Sequence, residues 1–291
     1  MVASRLLLAG FCLVLTGTQA ATPISSTTME SLLNAGGVDL AHAAAPMFFF
    51  GQAMNRPPCY PTNATTAQGT QTPSVGLCDY PNVGCNCRQP GIGISNRGPS
   101  FPVYYTYNRC TPTEIRVAYN LFYEKDGTTP DQIFGHRYDW ERVIVIWTLL
   151  PSTTSWVTSR LLLSQHSGYQ SINWASIQNT FSTEDATLPR GGANGVQNRD
   201  HPKVYVAWSK HAHYQDRNTG WNDPISQLTG NAFRSQDWWY FPAKSDYLRA
   251  DRSTELGQLI AGFNWGSASS NPAAVHDGLC AAAAAAAAAA P

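Results

Sequence analysis

Asp139 and Glu141 are the residues most able to do chemistry. They stand two apart at the head of the apolar run Val143-Ile144-Val145-Ile146-Trp147. If that run is a strand, its period of two puts both carboxylates on one face of a sheet. Two carboxylates that lose water side by side repel one another. Either one of them keeps a proton at a raised pKa, or a hard divalent cation, Mg2+ or Ca2+, sits between them. His136 has the opposite parity and joins them only where the chain is still turning, which Gly135 permits. Upstream, Glu124-Lys125-Asp126-Gly127 closes the preceding strand. Asp126 therefore faces Asp139 and Glu141 if the two strands are neighbours, with Asp131 in the intervening loop as its competitor. Two other uses of the pair stand beside the metal site. One is a solvated face paired with Arg137 or Arg142. The other is a carbohydrate hydrolase, since retaining glycosidases hold two carboxylates about 5–5.5 Å apart.

Further polar and aromatic residues flank this constellation. His166 falls in a turn after a strand, and His211 and His213 follow the run Val204-Tyr205-Val206-Ala207-Trp208 as a polar rim suited to a sugar. Their i, i+2 spacing also admits a transition metal, ranked below a structural role. Trp221 lies between Thr219-Gly220 and Asn222-Asp223-Pro224, a loop tip, whereas Trp238, Trp239, Tyr240 and Trp265 are expected mostly in the core.

Strands must position these groups. Residues 114–123 partly alternate and are β-branched or aromatic, and Val143–Trp147 is apolar throughout, as a strand buried on both faces requires. Residues 160–163 and 204–208 add shorter strands, and the strand-rich body is expected to start at Phe101. One or two short helices are expected over 25–45 with Thr27 or Thr28 as cap, and another over 253–263, capped by Ser253 and ended near Gly262. Residues 52–100 are dense in Pro, Gly, Asn, Thr and Cys, which predicts loop held by disulfides. The fold class expected is all-β to α+β, a central β-sandwich with peripheral helices.

Residues 1–20 carry one arginine, a short apolar core and a small-residue exit, the parts of a secretory signal peptide, and no later segment is apolar for long enough to span a bilayer. Four segments result: the signal peptide at 1–20, an N-terminal helix and disulfide-rich loop region at 21–100, the β-sandwich domain at 101–280 and a poly-Ala tail at 281–291. Of seven cysteines, Cys12 falls in the leader. The remaining even set suggests disulfides in an oxidising compartment, and Cys85 and Cys87 are too close to pair with each other. Asn63-Ala64-Thr65 is an N-glycosylation sequon. Charged residues make up 13% and balance to +0, so there is no basic field for nucleic acid.

Residues 135–141, Gly-His-Arg-Tyr-Asp-Trp-Glu, closely resemble the Gly-His-Arg-His-Asp-Trp-Glu heptapeptide of the necrosis- and ethylene-inducing-like proteins. The resemblance extends to residues 118–126, a strand ending in Lys-Asp, to 201–207 and to 265–268, so that it covers roughly Val103 to Cys280. It implies a fungal-type secreted member whose β-sandwich is similar to fungal lectins and actinoporins. It also implies a Mg2+ or Ca2+ site at Asp126, His136, Asp139 and Glu141, with His166, His211, His213 and Trp221 as candidate headgroup contacts. The function implied is that of a monomeric cytolysin, a virulence effector and not a catalyst. Its partner is the glycosylinositol phosphorylceramide headgroup on the outer surface of the plant plasma membrane. A non-toxic sugar-binding member is the alternative, because Tyr138 replaces the heptapeptide's second His, and the interval from Asp126 to His136 is longer than in many relatives.

Overall fold

The computed structural model describes residues 21–165, 168–182, 197–216 and 237–281. The chain is mostly β. Among the described residues twelve strands make two sheets: β1 (Ile24–Ser25), β2 (Met47–Gly51), β3 (Val103–Thr111), β4 (Glu114–Gly127), β5 (Gly135–Leu150), β6 (Ser155–Gln165), β7 (Gly168–Asn173), β8 (Thr180–Phe181), β9 (His201–Val206), β10 (His213–Tyr214), β11 (Asp237–Tyr240) and β12 (Tyr247–Arg249). The larger sheet runs β1-β6-β5-β4-β3-β12 with β7 beside β6, and the smaller runs β10-β9-β2-β11 with β8 beside β9. Helices α1 (Ser26–Asn34), α2 (Val38–Ala43), α3 (Glu255–Ala261) and α4 (Pro272–Gly278) are short. Among the described residues no helix is long and apolar enough to cross a membrane.

Alternation in β4 and β5 explains how the layers pack. Val117, Tyr119, Val143 and Val145 share a core with Phe48, Phe50, Val204 and Val206 of the smaller sheet. The intervening residues Ala118, Ile144 and Ile146 meet Val275 and Leu279, in α4 and just beyond it, on the other face. The continuous apolar run in β5 is therefore a strand covered on both sides, as its sequence requires. Further along the same outer face, Phe122 and Trp140 meet Trp265, and Ile260 of α3.

Several details differ from the sequence reading. The strands begin well before Phe101, because Met47-Phe48-Phe49-Phe50 forms the central β2 of the smaller sheet, parallel to β9 and antiparallel to β11. All its residues are buried. Ser25, not Thr27 or Thr28, caps α1, its hydroxyl accepting the Thr28 amide at 3.1 Å. Thr254, one residue beyond Ser253, caps α3, and Gly262 ends it as expected. The disulfides are Cys59–Cys87, Cys78–Cys85 and Cys110–Cys280, so Cys85 and Cys87 each reach elsewhere.

A pH-sensitive group lies buried at the start of β9. His201 is 2% exposed, with Nδ1 3.0 Å from the Ala45 carbonyl. Burial pushes its pKa down to about 4, against a partial opposing effect of that hydrogen bond. The unfolded chain then binds a proton near pH 6.5 that the folded chain refuses, so stability falls as pH drops from about 6.5 towards 4. Urea midpoints at pH 7 and pH 4.5 are expected to show a loss that His201→Gln reduces.

Candidate metal centre

The site forms where β4 ends and β5 begins. The two strands pair antiparallel with Tyr123 opposite Asp139, Lys125 opposite Arg137 and Asp126 opposite His136, while the pair Glu124/Tyr138 drops out of the ladder. Tyr138 has φ +61°, an unusual conformation for a bulky residue. This left-handed residue, and not Gly135, interrupts the alternation that would otherwise keep His136 and Asp139 on opposite faces. Its ring is held against Phe122 and Trp265, at 6.0 and 5.2 Å between centroids. Glycines close the ends of both strands: Gly127 has φ +66°, and a Cβ there would meet the Phe134 carbonyl oxygen at 2.1 Å.

Neighbouring residues at the end of β4 point into different surroundings. Lys125 is fully buried, its Nζ 3.0 Å from Cys78 Sγ and hydrogen-bonded to the Cys85 carbonyl. Burial lowers its pKa to about 8. Asp126 turns instead towards Asp139 and His211. His211 Nδ1 lies 3.0 Å from Asp139 Oδ2 and 3.5 Å from Asp126 Oδ1. The three side chains offer ligand atoms that all lie within 4.8 Å of one another. His136 flanks them, with Nε2 3.4 Å from Asp126 Oδ2 and Nδ1 2.9 Å from the Tyr138 carbonyl. Glu141 lies further along β5, buried, and accepts a hydrogen bond from the Ser164 hydroxyl.

The electrostatics follow from crowding acids away from water. Burial, then the Asp139 charge, pushes the Asp126 carboxyl up to about 7, while the nearby imidazoles pull it partly back. Burial and Asp139 likewise raise Glu141 well above the carboxylate range. Burial lowers His136, but Asp126 and Asp139 outweigh it, and the imidazole titrates above its ordinary value. Asp126 Oδ1 and His211 Nε2 are buried without a hydrogen-bond partner. A carboxylate oxygen left over beside a second carboxylate and an imidazole suits a divalent cation, whose charge would favour the ionised acids. The donor set thus makes a candidate cation site.

His211 is the group that sequence reasoning misjudged. It is 1% exposed, stacked on Tyr123 with centroids 3.8 Å apart, and forms part of the cluster instead of a rim. The tight turn between β9 and β10 delivers it, with the His211 amide donating to Ala207 at 3.1 Å and φ at +53°. Its only signal was the His-x-His after a strand. His213 is completely buried, with Nδ1 3.1 Å from the Arg142 carbonyl, so it too lines no rim. Asp131 is exposed in the connecting loop and stays outside the cluster. His166 and Trp221 lie outside the described residues.

Asp126 and His136 open onto a pocket of about 420 Å³ whose wall includes Ile133, Phe134, Lys210 and Ser267. Asp139 and Glu141 do not line it.

Residues 52–189 match the family model for necrosis inducing protein (NPP1), a span that contains Asp126, His136, Asp139 and Glu141. Over that span the chain is similar to the necrosis inducing protein family. Over 111 residues it is 32% identical to NLP effector protein 10 of Phytophthora capsici, a match covering 38% of this chain and 42% of that relative. The chain thus matches less than half the length of that curated relative. Among solved structures, the non-toxic HaNLP3 protein aligns over 85% of this chain and 86% of its own, with 15% identity and a TM-score of 0.40. NLPPya in complex with glucosamine aligns over 79% and 81%, with 17% identity and a TM-score of 0.44. Necrosis and Ethylene inducing Protein 2, from the causal agent of cocoa's Witches Broom disease, aligns over 67% and 70%, with 19% identity and a TM-score of 0.40.

Proposed function

We propose that this chain is a member of the necrosis inducing protein family, a secreted effector that binds a plant sphingolipid's sugar headgroup through a divalent cation and then damages the plasma membrane. The observation that carries this reading is the Asp126–Asp139–His211 cluster, with Asp139 and His211 buried and an unsatisfied carboxylate oxygen on Asp126, which opens onto a pocket. Asp126, Asp139 and His211 would hold Mg2+ or Ca2+, with His136 at the pocket edge and Glu141 behind. Such an ion supplies a site for sugar hydroxyl oxygens, which are hard donors. His136, partly exposed beside Asp126, is placed to donate to a hydroxyl or an ordered water. Lys210, in the same wall, complements a phosphate.

Two observations bear on the other readings. A hydrolase using Asp139 and Glu141 needs both carboxylates in contact with substrate, yet neither lines the pocket and Glu141 is occupied by Ser164. Binding without catalysis is the simpler use of this geometry. Tyr138 bears on the non-toxic alternative: it packs against Phe122 and Trp265 and leaves the acidic cluster intact, so its presence argues against toxicity more than against cation binding.

The expected result with vesicles containing glycosylinositol phosphorylceramide is binding in Ca2+ or Mg2+ that a chelator abolishes, and no binding to vesicles lacking the lipid. Equal binding in all four conditions would contradict the cation–headgroup model. Leaf infiltration with pure protein separates a cytolysin, which causes lesions, from a non-toxic sugar binder, which does not.

A further inference from the structure

Ile133 and Phe134 are 71% and 65% exposed, more than any other large apolar side chain among the described residues, and they are adjacent in sequence. They sit on the turn joining β4 to β5 and form part of the pocket wall beside Asp126 and His136. The turn is braced. The Ile133 and Phe134 amides donate to the Pro130 carbonyl at 3.3 and 3.0 Å, the Thr128 amide to Phe134 at 3.0 Å and the Gln132 amide to Gly135 at 2.6 Å. From outside the turn, the Thr129 amide donates to Cys78 at 3.0 Å, the Thr129 hydroxyl donates to Asp79 at 2.6 Å, and the Ser267 hydroxyl donates to Gln132 at 3.1 Å. A backbone held at this many points keeps both side chains turned to solvent, where water penalises them.

We propose that Ile133 and Phe134 are a bilayer anchor, entering the interfacial layer of a lipid membrane while the adjoining pocket holds a headgroup. Footprint decides between a lipid and a protein partner. Two side chains cover far less than the roughly 800 Å² per partner of a stable protein interface. Shallow insertion of an aromatic and an aliphatic residue beside a polar pocket is, by contrast, how a small motif gains from a bilayer. Charge agrees, because Lys210 shares the pocket wall and suits the phosphate that links a headgroup to its lipid. The geometry also orients the molecule: a headgroup held at Asp126 and His136 brings its own bilayer against the turn.

The anchor rests on the headgroup reading of the pocket, and its test separates the two. The full chain and its Ile133→Ser/Phe134→Ser variant are compared, in Ca2+, for co-sedimentation with phosphatidylcholine vesicles containing the glycosylated inositol sphingolipid. Binding of the free headgroup glycan is measured by calorimetry. The variant is expected to bind vesicles about tenfold more weakly or worse, a change of about 1.4 kcal/mol, and to lose more on vesicles than on free glycan; an equal loss on both would overturn the anchor. A second variant, Phe134→Trp, is expected to keep vesicle binding and to have its added fluorescence quenched by brominated acyl chains. Undiminished vesicle binding by the double serine variant, or no vesicle binding by the parent chain, overturns the anchor. If the parent binds vesicles but not free glycan and the variant loses the vesicles, the headgroup reading fails and the anchor stands.

Discussion

At pH 8, stripping divalent cations from the protein lowers its melting temperature by about 5–10 °C, and at pH 5 the same treatment changes it much less. At pH 8 the Asp126 carboxyl, whose pKa burial and the neighbouring Asp139 hold up to about 7, is ionised in a site that excludes most water. A folded-state carboxyl raised above its unfolded value destabilises the fold once ionised. Stability of the metal-free chain therefore falls as pH rises from about 4 to about 7 and stays low above that. A bound cation removes the penalty. At a hundredfold excess over its dissociation constant it adds about 2.7 kcal/mol, and each kcal/mol moves the midpoint of a domain this size by about 2–4 °C. At pH 5 a proton on Asp126 competes with the ion and stands in for part of its effect. Asp139→Asn removes one charge and is expected to make the melting temperature insensitive to chelator at both pH values. Differential scanning calorimetry on both chains, with and without chelator, measures all of these.

Trp265→Ala is expected to cost about 3–5 kcal/mol, the range for removing a fully packed large aromatic. Trp265 is 3% exposed and packs edge-on against Phe122, Tyr138, Trp140 and Phe263, at 5.1 to 5.7 Å between centroids. Its indole N–H donates to the Ile260 carbonyl at 2.9 Å, tying the outer face of the larger sheet to α3. Tyr138 and Trp140 flank Asp139 in sequence, and Tyr138 keeps its left-handed backbone while packed under Trp265. The loss should therefore appear as weaker cation affinity as well as a lower urea midpoint, with Trp265→Phe intermediate in both. A variant as stable as the parent would show that this cluster supports neither the fold nor the site.

What sequence could and could not convey follows from the range of each interaction. β4 and β5 were legible because alternation is local, and the both-face burial of β5 showed in its unbroken apolar run. Asp126 was legible too, as the acid closing the strand before the one that carries Asp139. β2 was hidden, because Met47-Phe48-Phe49-Phe50 is short and continuous, lies between an alanine-rich segment and a cysteine-rich loop, and finds its partners beyond residue 200. His211 was misjudged for the same reason: its place beside Asp139 depends on how the smaller sheet packs on the larger, 72 residues away in sequence. The turn that admits His136 was anticipated at Gly135 but is made by Tyr138, whose positive φ is sustained by tertiary contact with Trp265 and Phe122 and carries no local signature. Nor did spacing reveal which cysteines pair, beyond keeping Cys85 and Cys87 apart.

The central claim is a cation held by Asp126, Asp139 and His211, and the most direct test is calorimetric titration of Ca2+ and of Mg2+ into chelated protein at pH 8. The account predicts one saturable site in the parent chain, retained in Ile133→Ser/Phe134→Ser and lost in both Asp126→Asn and Asp139→Asn. Absence of binding heat for either ion in the parent, or an undiminished site in Asp139→Asn, would contradict it.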